Sequence, residues 1–76
     1  MVIGEGRALL QRHLAQAQKD VALGTRHVER QLEILAELGR DGHPTAQAEE
    51  LLRTFEECLR LHIQGRDRLE KELAEE

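Results

Sequence analysis

The sequence predicts an all-α fold: an antiparallel two-helix hairpin, coiled-coil-like, that completes itself as a dimeric four-helix bundle. Three observations carry this. Charged residues make up 34% of the chain and apolar residues 39%, with Phe55 as the single aromatic, a composition suited to long helices and poor in what sheets require. The apolar residues recur in steps of four and three, which places them on one face of a helix. One cluster of turn-forming residues, Gly39-Arg40-Asp41-Gly42-His43-Pro44-Thr45, splits the chain in two.

The first helix is expected over about residues 5–38. Its stripe runs Leu10, Leu14, Ala17, Val21, Gly24, Val28, Gln31, Leu35 and Leu38. Glycine costs about 1 kcal/mol in a helix interior, so Gly24 marks either a close approach of the second helix or a break.

The turn is expected over residues 39–44. Gly39 suits the left-handed position that follows a helix, and Asp41-Gly42 is a turn dipeptide. Pro44 suits the first turn of a new helix, where its missing N–H is harmless. Thr45 is favoured over His43 as the N-cap by its hydroxyl.

The second helix is expected over about residues 45–73, with a stripe of Ala48, Leu52, Phe55, Leu59, His62, Arg66, Leu69 and Leu73. Opposite charges four apart, such as Glu49–Arg53, Glu56–Arg60 and Arg66–Glu70, each add a few tenths of a kcal/mol to helix stability. A short connection makes the helices antiparallel neighbours, with Leu35 opposite Ala48, Val28 opposite Phe55 and Leu14 opposite Leu69. Gln31, His62 and Arg66 are polar where the seam expects leucine. Polar seam residues lower stability but fix register and oligomeric state.

The seam does not use all the apolar residues. Leu9, Leu32, Ile34, Leu51, Cys58, Leu61 and Ile63 lie beside it. Burying a leucine or isoleucine is worth about 1.5–3 kcal/mol, and a two-helix hairpin has no second layer to cover them. A homodimer supplies that layer, with Leu32, Leu51, Cys58, Leu61 and Ile63 as the expected dimer or partner surface.

The bulk numbers exclude several classes. Eleven basic against fifteen acidic residues give a net charge of −4, with no basic stripe to neutralise phosphates or hold an anionic membrane surface. Apolar runs are only a few residues long, far short of the ~20 that a transmembrane helix needs. A single cysteine leaves no internal disulfide. No basic start followed by an apolar run marks a signal peptide, so a reducing cytoplasm is the expected compartment.

Chemistry-bearing motifs are sparse. Cys58 and His62 stand one helical turn apart, and thiolate with imidazole is half of a zinc site that a two-fold axis could complete. His27-Val28-Glu29-Arg30 loosely resembles the surroundings of a phosphorylated histidine on a four-helix bundle. Glycine-rich phosphate loops, Ser-His-Asp sets and Glu-x-x-His di-iron motifs are absent, and two helices build no deep cleft. No enzyme activity and no cofactor are expected.

Words from Thr25 onward, among them Arg26-His27-Val28-Glu29-Arg30-Gln31, Asp41-Gly42-His43-Pro44-Thr45-Ala46 and Leu51-Leu52-Arg53-Thr54-Phe55, resemble a group of short, uncharacterised alphaproteobacterial helical-hairpin proteins over about residues 25–73. The resemblance implies a bacterial, soluble, helical protein and transfers no functional residue. The expected role is a small cytoplasmic interaction or regulatory module that binds itself and possibly another protein. The alternative is a histidine-dependent site, with metal on Cys58 and His62 or phosphotransfer through His27.

Overall fold

A computed structural model describes residues 2–75, with side chains from residue 6 onward. It contains two helices, α1 (Val2–Arg40) and α2 (Ala46–Glu75), packed against each other along their length. The pairing is antiparallel: a Cβ on Gly24 would lie 3.2 Å from Leu59 Cδ1, while near the open end Arg7 Nη1 donates to the Leu73 carbonyl at 3.3 Å. The result is a rod of 62 × 14 × 13 Å. Both helices exceed the expected bounds, because nothing in residues 2–4 or 74–75 breaks a helix strongly enough to stop it.

Helix α1 is unbroken at Gly24. The missing side chain is what lets α2 approach, since any Cβ there would press on Leu59. This contact also lies in the register that the expected pairs define.

The turn differs in detail from the sequence reading. Gly42, not Gly39, takes the left-handed conformation, with φ +73°. Two bonds close the helix end: the His43 N–H donates to the Leu38 carbonyl at 2.9 Å, and the Gly42 N–H to the Gly39 carbonyl at 3.3 Å. This is a Schellman motif, which satisfies carbonyls that the helix leaves open. Pro44 sits ahead of α2, outside its first turn. Thr45 precedes Ala46 directly, and its carbonyl accepts the Glu49 N–H at 2.9 Å while its hydroxyl bonds the Glu49 carboxylate at 3.4 Å.

The seam is real but shallow. Every stripe residue of α1 from Leu10 to Leu38 is at least half-buried, as are Ala48, Leu52, Phe55, Leu59, Arg66, Leu69 and Leu73 of α2. His62 departs from this pattern and is exposed, while its neighbour Ile63 is half-buried. A step of four from Leu59 reaches Ile63, and turning an aliphatic side chain rather than an imidazole toward the seam is the better use of scarce cover. Among the described residues no apolar side chain is fully buried, and the only buried residue is Gln31 at 4% exposure.

Candidate protein-contact surface

Gln31 is the best-defined polar contact of the hairpin. Its Nε2 donates to the Ala48 carbonyl at 2.9 Å, so the buried amide is not left without a partner. Arg66, a polar seam residue that is half-buried, turns along its own helix. Its Nη2 lies 2.9 Å from Asp67 and its Nε 3.9 Å from Glu70, rather than reaching across to α1.

The large apolar side chains that the hairpin fails to cover are Leu9, Leu23, Leu32, Leu51 and Leu61, between 44% and 53% exposed. Four of these, Leu9, Leu32, Leu51 and Leu61, are among the residues that the spacing leaves off the seam, and Leu32, Leu51 and Leu61 belong to the expected contact surface; Leu23 is the one the spacing does not single out. Cys58 is exposed, and Ile63 is the one predicted contact residue that the protomer partly shelters.

These residues are not spread evenly. Heptad spacing puts Leu32 and Ile63 on one side of the seam and Leu9, Leu23, Ile34, Leu51, Cys58 and Leu61 on the other. A cleft of about 90 Å³ brings two of the second group, Leu23 and Cys58, together: it is lined by Leu23 and His27 from α1 and Cys58 and His62 from α2, with Asp20, Gly24 and Phe55. The flank with Ile63 instead carries Glu49, Glu56 and Glu70 at seven-residue spacings. Positions just before and just after a seam residue look alike until both helices are aligned, which is why the sequence reading pooled the two flanks.

Within the cleft the His27 ring lies 5.3 Å from Phe55, tilted by 39°, an edge contact that closes one wall. Cys58 and His62 face the same opening from α2. Among the described residues no three His, Cys, Asp or Glu side chains stand close enough to hold a metal ion. A single protomer therefore offers at most a pair of donors there. The thiol is exposed, so it is not the small buried core group that an isolated helix cysteine often is.

No family model matches this chain, and no curated protein or solved structure is similar to it. The flank must speak through its own chemistry.

The remaining surface is a solvated helix exterior. Arg30 pairs with Glu33 at 3.1 Å within α1, which relieves the acidic ridge of Glu29, Glu33 and Glu37. Arg60 pairs with Glu57, and that hydrogen bond holds its guanidinium pKa above the ordinary value. Exposed pairs of this kind contribute little to stability. Among the described residues, no helix is long and apolar enough to cross a membrane.

Proposed function

We propose that this protein is a small cytoplasmic protein-protein interaction module that works as a homodimeric four-helix bundle. The single observation that carries the reading is the missing core: among the described residues, none of the seam leucines is fully buried. The accessible surface of 5810 Å² makes the same point, since a compact monomer of this mass exposes only about 4,700 Å². The excess, about 1,100 Å² per chain, is of the order of the ~800 Å² that one partner contributes to a standard interface. Five leucines between 44% and 53% exposed contribute to it, and clustered exposed apolar side chains mark a surface meant to be covered.

Sedimentation at micromolar concentration tests this directly. The expected result is a dimer of 76-residue chains. A monomer that melts cooperatively at a midpoint independent of concentration would remove the reading.

A second reading is favoured by Cys58 and His62 opening on one cleft. Two copies of that pair would make the four nitrogen and sulfur ligands that zinc prefers. Calorimetric titration with zinc checks it. One ion per dimer, lost in Cys58→Ala, is the expected outcome; heat no different from that of the Cys58→Ala protein ends it.

A further inference from the structure

The geometry points to one particular dimer: two copies joined antiparallel through the flank of Leu23, Cys58 and Leu61, with the two-fold axis crossing the rod at that height. This rests on the homodimer reading above and adds which face, which orientation and which register.

The choice of face comes from charge as much as from grease. Four of the five exposed leucines share the cleft flank, with only Leu32 on the other. An antiparallel two-fold on the opposite flank would set Glu49 of one copy near Glu70 of the other, and like charges facing each other disfavour association. An isologous interface must be complementary to itself, and the cleft flank, where Leu23, Cys58 and Leu61 stand at the centre and Asp20 is the one carboxylate lining the cleft, comes closer to that condition. The long side of the rod, 62 by 14 Å, is also of the size that one partner contributes to a standard interface, about 800 Å².

Orientation and register follow from where the apolar groups stand along the rod. Leu23 and Cys58 line one cleft, and Leu61 is one helical turn from Cys58, so these three share a height near the middle of α1. Leu9 lies two heptads before Leu23, roughly 21 Å toward the open end. Ile34 lies roughly 16 Å toward the turn, with Leu51 on the same side of Cys58. An antiparallel two-fold through the middle lays Leu9 of one copy within about a turn of Ile34 of the other, with Leu51 about two turns away. A parallel pair would instead stack Leu9 on Leu9 and leave the middle cluster to set the register alone.

Cysteine cross-linking of the full chain reads all three features. Under copper-phenanthroline oxidation the native protein should form a covalent dimer through Cys58 in high yield. Two exposed positions serve as controls in a Cys58→Ser background. Thr25→Cys stands at a similar height on the opposite flank, and Leu9→Cys stands far from the axis; neither should cross-link. Leu61→Glu, at a side chain 53% exposed and so outside the packing of the protomer, should weaken dimerisation at least about tenfold by sedimentation, while Leu32→Glu should change it less than about twofold. A dimer that cross-links through Thr25→Cys, or that loses affinity at Leu32 and not at Leu61, overturns the face while leaving the homodimer intact. Cross-linking through Leu9→Cys overturns the antiparallel orientation. A native protein that sediments as a monomer sinks both this assignment and the reading it rests on.

Discussion

Single residues decide how the two helices meet. Gln31 is a seam residue whose amide bonds a main-chain carbonyl of the facing helix. Ala48 keeps its own place in α2 without that bond, so Gln31→Ala should cost about 1 kcal/mol and lower the thermal midpoint by roughly 4–8 °C. Two of the helical glycines, Gly24 and Gly65, should respond differently to alanine. Nothing lies within 4 Å of a Cβ added at Gly65, so Gly65→Ala should stabilise the protein by about 1 kcal/mol through helix propensity. At Gly24 the same gain is offset, because Leu59 Cδ1 sits 3.2 Å away and must shift. Chemical denaturation of both variants checks the contrast, with Gly65→Ala the more stable of the two. That residues 24 and 31 belong to the seam is legible from spacing. What they touch is not, since a main-chain acceptor across the interface leaves no mark in a pattern of side chains. The exchange of His62 for Ile63 has the same origin: both fit a helical stripe, and only competition for limited cover separates them.

At the level of elements, the turn is where sequence and structure agree in place and differ in detail. Two glycines three apart both suit a helix stop, and propensity alone does not rank them. The helix runs on to the later one because the added residues gain main-chain bonds, such as Asp41 N–H to the Glu37 carbonyl at 3.1 Å, before the chain reverses. Gly42→Ala should therefore cost about 1–2 kcal/mol, by forcing a Cβ into the left-handed region, whereas Gly39→Ala, in helical conformation with open space around it, should be neutral or mildly stabilising. Thermal melts of the two variants at equal concentration would show the difference. The existence, order and type of the helices were legible because the four-three period is sustained along both halves. Their ends were not, because the terminal residues carry no strong breaker.

At the scale of the whole molecule, stability and association are expected to be one equilibrium. A chain whose described apolar side chains are all at least partly wet gains much of its favourable burial on pairing. Its melting midpoint should then rise with protein concentration, and a tenfold dilution across the dissociation range should lower it measurably by circular dichroism. The surplus of leucine beyond one seam was readable from the sequence; the flank that carries most of it was not, because that depends on how the second helix is aligned. α1 starts and α2 finishes at one tip of the rod, where Arg7 grips the Leu73 carbonyl, while the Gly42 turn lies at the far tip. Anything fused to either end of residues 2–75 would depart from that shared tip. In the antiparallel pair, two such fusions would be held apart by about the length of the rod, so the assembly would act as a spacer bar rather than a clamp.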